Sequence, residues 1–200
     1  MKNKLFAGLL IMTLVLSLAG CGKKTAVTTE STGASVEQEL TKMVSKDLPG
    51  IASDRDKAVE IYNSYFATAS VSDASESDAW ETKLETEALP SYDKYLSNLD
   101  ALNYSNQSVQ NLKNSYENSA KCQRAAIQYV VNALKTADST QLDNAVTKMN
   151  DSMYYLKQYE DDLKALCDSN GITLNGTLQT ATLTDAVLST LSDATPTSAE

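Results

Sequence analysis

The chain has 200 residues, 26 acidic against 17 basic side chains, a net charge of −9, three cysteines and no histidine. An acidic surface of this kind repels nucleic acid and anionic lipid headgroups as direct partners. The lack of histidine removes the commonest general base, the Ser-His and Cys-His nucleophile pairs and the usual zinc and di-iron ligand sets, and the seven scattered glycines form no phosphate-cradling loop.

Lys2 and Lys4 open the chain, and the run from Leu5 to Leu18 is apolar except at Gly8, Thr13 and Ser17. A basic start before an apolar core too short to span a bilayer is the layout of a secretory signal peptide. The run ends in Leu18-Ala19-Gly20-Cys21. These residues resemble the lipobox of bacterial lipoproteins, Leu-(Ala/Ser)-(Gly/Ala)-Cys. The resemblance implies that residues 1–20 are cleaved away and that Cys21 becomes the N-terminus with a diacylglyceryl group on its sulfur. Losing Lys2 and Lys4 takes the net charge from −9 to −11. Each buried methylene contributes roughly 0.8 kcal/mol and one chain alone binds only marginally, so two palmitate-like chains are needed to hold the protein. The expected location is the extracytoplasmic face of the cell membrane in a bacterial envelope, without a transmembrane helix.

Residues 21–34 have no apolar period and read as a lipidated flexible tether, spanning about 20 Å root-mean-square. The folded part should therefore sit close to the membrane. Ser35 and Gln38 have capping-box spacing, and Val36, Leu40 and Met43 follow at helical intervals. Pro49-Gly50 predicts a stop, and Ser53 a new cap ahead of Ala58, Ile61, Tyr62, Tyr65, Phe66 and Ala69. After a Ser/Asp-rich connection over 70–75, a second helix carries Trp80, Leu84, Ala88, Tyr95, Leu99 and Leu102 on one side. Pro90 predicts a kink or short break over 86–90, and Asn103 a left-handed stop.

A third helix from about 105 to 136 shows the stripe Val109, Leu112, Tyr116, Ala120, Gln123, Ile127, Val130 and Leu134. Asp138 or Ser139 caps a fourth, in which Leu142, Met149, Leu156 and Leu163 fall seven apart, flanked by Val146, Met153 and Cys167. Asn170-Gly171 ends it, with Ile172 placed for the apolar contact of a glycine C-cap. The short 136–139 connection makes the last two helices antiparallel neighbours. The expected fold is all-α: an antiparallel four-helix-bundle-like domain over 35–171 whose first helix is broken at Pro49-Gly50. Residues 172–200 form a Thr/Ser/Ala-rich, partly disordered tail with one short helix through Leu183, Val187, Leu188 and Leu191.

Cys122 and Cys167 suggest a disulfide in an exported domain. In an antiparallel hairpin, however, they lie about 20 Å apart along the axis at 1.5 Å per residue, far beyond the roughly 7 Å that a disulfide allows between alpha carbons. Two free thiols are expected. The carboxylates Asp78, Glu81 and Glu85, and the run Glu160-Asp161-Asp162, read as solvated faces, since no calcium loop accompanies them. The ten tyrosines suit bundle boundaries, with buried rings and wet hydroxyls. Tyr154, Tyr155 and Tyr159 on the fourth helix, and Trp80 on the second, are the candidate partner-binding residues.

No catalytic residue, metal site or cofactor is expected. The reading is a lipid-anchored helical binding or scaffold module for a protein or envelope partner, not an enzyme. One alternative is a small-ligand receptor feeding a transporter, which needs a cavity of about 300 Å³ or more lined by tyrosines and Trp80. Another is a carboxylate-dependent hydrolase, which needs two facing acids of perturbed pKa in a pocket.

Overall fold

The computed structural model describes residues 34–68 and 74–174, with side chains described over 34–65 and 77–174, and the extended pairs Thr13–Leu14 and Leu178–Gln179. The rest of the leader with Cys21, the tether before Ala34, the side chain of Phe66, Ala69 and the rest of the link to the second helix, and tail residues 183–191 lie outside them. Thr13–Leu14 pairs antiparallel with Leu178–Gln179; cleavage ahead of Cys21 would remove half of that pairing.

The first rod opens with α1, Val36–Lys42. Ser35 Oγ accepts the Gln38 N–H at 3.2 Å and Gln38 Oε1 accepts the Ser35 N–H at 3.2 Å, closing the expected capping box. The rod then widens into a π turn, Met43–Asp47, and continues as α2, Leu48–Thr68. Its α-helical ladder is interrupted, but not by a stop at Pro49-Gly50: both residues lie inside α2, and so does Ser53, which caps nothing. The reason is local. Proline lacks an N–H and its ring collides with the carbonyl four residues back. A π turn just ahead of it, closed by the Leu48 N–H on the Met43 carbonyl, re-aims those carbonyls and lets the helix pass.

The second rod repeats the device. Helix α3, Ala74–Lys83, leads into a π turn at Leu84–Ala88, where the Leu89 N–H reaches the Leu84 carbonyl, and α4 continues over Leu89–Asp100. The expected irregularity near Pro90 is this π turn. The two stretches share a sequence frame, Thr41-Lys42-Met43 to Leu48-Pro49 and Thr82-Lys83-Leu84 to Leu89-Pro90. Asn103 is not the left-handed stop that was expected; α4 ends earlier, with Ala101 still in the right-handed region and its N–H on the Ser97 carbonyl at 3.2 Å.

Helix α5, Gln107–Thr136, starts two residues later than expected, with Asn106 as its cap. Helix α6 spans Thr140–Asn170. Between them Ala137 takes a left-handed φ of 52°, and Asp138 Oδ1 accepts the Thr140 N–H at 2.9 Å. At the far end Gly171 has φ 65°, and the Ile172 N–H returns to the Cys167 carbonyl at 3.0 Å, which buries Ile172.

Helix α2 packs along α4 and the second π turn, α5 along α6, and α3 and α4 against α5. The core takes Leu40, Ala58, Tyr62 and Tyr65 from the first rod and Leu84, Tyr92, Tyr95 and Leu99 from the second. From α5 it takes the expected stripe Val109 to Val130, and from α6 Leu142, Met149 and Leu163. Cys122 and Cys167 are both free thiols, as their heights in the α5–α6 hairpin require.

Candidate functional site

Two features stand apart from an ordinary apolar bundle: a polar cluster where the rods meet, and the outer side of α6. The cluster begins with Arg55. It falls three and seven residues before Ala58 and Tyr62, so the helical period turns it inward with them, and it is only 5 % exposed. Its Nη1 donates to the Tyr116 hydroxyl on α5 at 2.8 Å. Its Nε and Nη2 donate to Asp56 Oδ1 at 2.9 and 2.6 Å, the carboxylate itself being half in water. The Tyr95 ring lies 5.8 Å from the guanidinium carbon and stands edge-on to Tyr92.

Tyr92 donates to Gln123 Oε1 at 2.8 Å, Ser119 and Ser152 share a hydrogen bond of 2.9 Å between α5 and α6, and the Tyr159 ring stacks 5.1 Å from that of Tyr116. Burial disfavours the charge on Arg55, but Tyr116, Tyr95 and the hydrogen bond to Asp56 outweigh it and hold its proton more tightly than usual. Burial pushes the Tyr92, Tyr95 and Tyr159 hydroxyls well above their ordinary range, so all three remain neutral. The space these groups enclose with Leu156 is about 10 Å³, room for about one water. Such a site fixes how four rods face one another. It has no room for a solute.

A second polar set lies toward the end of the bundle where α1 begins. Glu39 of α1 is buried and accepts the Ser105 and Asn106 N–H groups at 2.8 and 2.7 Å, tying the first rod to the start of α5. Tyr104 donates to Asp47 at 2.8 Å. Lys113 and Lys121 both pair with Glu117, at 2.6 and 2.5 Å. Burial alone would raise the Glu117 pKa; the hydrogen bonds from the two lysines prevail and hold it below the ordinary glutamate value.

The predicted partner-binding residues separate. Tyr154 is 68 % exposed and meets the half-buried Tyr155 edge-on at 5.6 Å. Tyr159 must be withdrawn from that set: it is fully buried, and its hydroxyl has no hydrogen-bond partner among the described residues. Its place one turn from Leu163 turns it into the core. Trp80 is half-buried on α3, 5.0 Å from the Tyr65 ring and under the Lys83 ammonium. Ring contacts join Trp80 to Tyr65 and Tyr154 to Tyr155; among the described residues none joins the two pairs. The expected wet tyrosine hydroxyls are also corrected. Seven of the ten tyrosines are buried, and those of Tyr92, Tyr104 and Tyr116 bond inside the bundle.

Arg55 and Glu39 are absent from the sequence reading because charged residues count as surface in a periodicity argument. The phase of Arg55 with Ala58 and Tyr62 was the available signal. The acidic faces are partly neutralised at the surface, Glu81 and Glu85 by Lys135 and Asp161 by Lys157.

No described helix is long and apolar enough to cross a membrane. No curated protein and no solved structure matches the chain. The sequence family described as EMYY-motif containing lipoprotein matches residues 1–137, from the leader to the end of α5. The four-residue string itself does not occur here; Glu60-Ile61-Tyr62 lies inside the match and Met153-Tyr154-Tyr155 beyond it. With more than half of its length matched and a lipobox cysteine ahead of a helical bundle, the protein belongs to the EMYY-motif lipoprotein family, anchored to the membrane of the cell envelope by lipid.

Proposed function

We propose that this lipoprotein is a non-enzymatic helical binding or scaffold module, held at the extracytoplasmic face by acyl chains on Cys21, that meets an envelope protein through the outer side of α6 around Tyr154 and Tyr155. The observation that carries the reading is the exposure of Tyr154. Every other tyrosine is buried or half-buried, whereas this ring stands 68 % in solvent beside Tyr155. Exposed aromatic anchors of this kind are what protein interfaces cover. The chain direction adds to it. Helix α1 begins at the end of the bundle opposite the α5–α6 turn, so the first half of α6 lies on the half of the bundle remote from the lipid-bearing end.

The receptor alternative finds less support. The enclosed space between the rods is that of a single water. A groove of about 470 Å³ runs between the start of α5 and the end of α6, but it is open to solvent and its lining mixes Ser108, Asn111, Asp162 and Ser169 with Leu112 and Leu166, with no tyrosine and not Trp80.

The test is a photoreactive residue at Tyr155, then at Tyr154 and Trp80, in intact cells. Capture of one envelope protein through the α6 positions is the expected result. Capture of lipid or glycan alone would overturn it. In parallel, Cys21→Ala should abolish labelling by palmitate and release the chain from the membrane fraction.

A further inference from the structure

We propose that the cavity between Arg55, Tyr95, Tyr116, Ser119 and Gln123 binds one resident water molecule, and that this water joins α2, α4 and α5 through hydrogen bonds their own side chains do not complete. The observation that carries it is Gln123. It is the polar member of the apolar stripe on α5 and is only 6 % exposed. Its Oε1 accepts from Tyr92, whereas its Nε2 donates to no group among the described residues. A primary amide has two hydrogens to place, and Gln123 lines the cavity. Protein interiors leave few such donors unmatched, and ordered water is the usual acceptor where no protein group serves.

The neighbours have the same surplus. Arg55, 5 % exposed, uses three of its five N–H groups on Asp56 and Tyr116. Ser119 and Ser152 share one hydrogen, which leaves one of the two hydroxyls with a hydrogen to donate. The hydroxyl oxygens of Tyr95, Tyr116 and Ser119 keep lone pairs that can accept from a water in turn. A buried water needs two to four polar partners, and this lining supplies them from three helices.

Size and charge select the ligand. The space measures about 10 Å³, room for one water and no larger solute. Asp56 pairs with Arg55 at 2.6 Å, so the guanidinium has its counter-charge already and an anion would add an uncompensated one to the interior. Ala120 and Leu156 complete the wall with apolar surface. The proposal is independent of the partner reading above.

The test is a crystal structure of the detergent-solubilised mature lipoprotein, fine enough to resolve waters, with and without a sodium bromide soak. One water peak should lie in the cavity within about 3.2 Å of Gln123 Nε2, with no bromine anomalous signal there. Ala120→Ser brings a hydroxyl of its own to the same space. Oxygen-17 relaxation dispersion in solution should therefore count one long-lived water fewer in this variant than in the parent, at an unchanged circular dichroism spectrum. A dry cavity in the parent would overturn the proposal, as would bromide at that position or equal water counts in the two chains. None of these results touches the Tyr155 capture experiment.

Discussion

Arg55 carries a full charge at a depth where an unpaired guanidinium would be untenable. Its bond to Tyr116 is the buried mid-helix link between the first rod and the third, beside the tie that Glu39 makes at their ends. Removing that acceptor by Tyr116→Phe should lower stability by about 1–3 kcal/mol, because a buried donor loses its partner. Tyr154→Phe, on an exposed ring, should stay within about 0.5 kcal/mol. Urea unfolding of the two variants beside the parent decides it. Glu117 makes a pH prediction. Its folded pKa lies below its unfolded one, so its contribution is complete above the ordinary glutamate value and is lost as the pH falls through the folded value. The difference in melting temperature between the parent and Glu117→Gln should be largest near neutrality and shrink as the pH falls through the depressed folded value.

Backbone conformation supplies a third test. Ala137 holds a left-handed φ that disfavours a side chain by about 1 kcal/mol, so Ala137→Gly should stabilise. Gly171→Ala should destabilise by a similar amount, although nothing crowds its Cβ. Gly50 lies within α2 with open space around it and an ordinary φ, so Gly50→Ala should stabilise by about 0.5–1 kcal/mol. Thermal melts of the three give the signs +, − and +.

At the scale of elements, the stripes were legible because burial follows helical phase. Val109 to Val130 on α5 and Leu142, Met149 and Leu163 on α6 were all readable from spacing. The two π turns were not. A missing proline donor reads as a stop, yet inserting one residue into the helix ahead of it relieves the same collision. Whether the chain stops or widens depends on whether the residues beyond the proline have a core to reach, and Tyr92, Tyr95 and Leu99 do. A π turn is a one-residue insertion, which makes a direct prediction. Deleting the exposed Glu87 together with Pro90→Ala should restore a continuous α-helix and keep the fold. Deleting Glu87 alone should force Pro90 against its preceding turn and cost about 3 kcal/mol. Circular dichroism melts of the two deletions distinguish them.

Across the whole molecule, the first two rods pack as one hairpin and the last two as another. Arg55–Tyr116, Tyr92–Gln123 and Glu39 with the Ser105 and Asn106 amides stitch the two together. A domain so joined should unfold in one step. Trp80 fluorescence, which reports the first pair through Tyr65, and far-UV circular dichroism, which reports all four rods, should give coincident denaturation curves; separated midpoints would mean independent hairpins. The leader, the lipobox cysteine and the four amphipathic rods could be read from the amino acids alone, because export signals and helical phase are local along the chain. The inward turn of Arg55, the burial of Tyr159, the passage of two prolines and the exposure of Tyr154 were decided only by tertiary structure. Each depends on which neighbour stands opposite a side chain, and that is set by packing between rods distant in sequence.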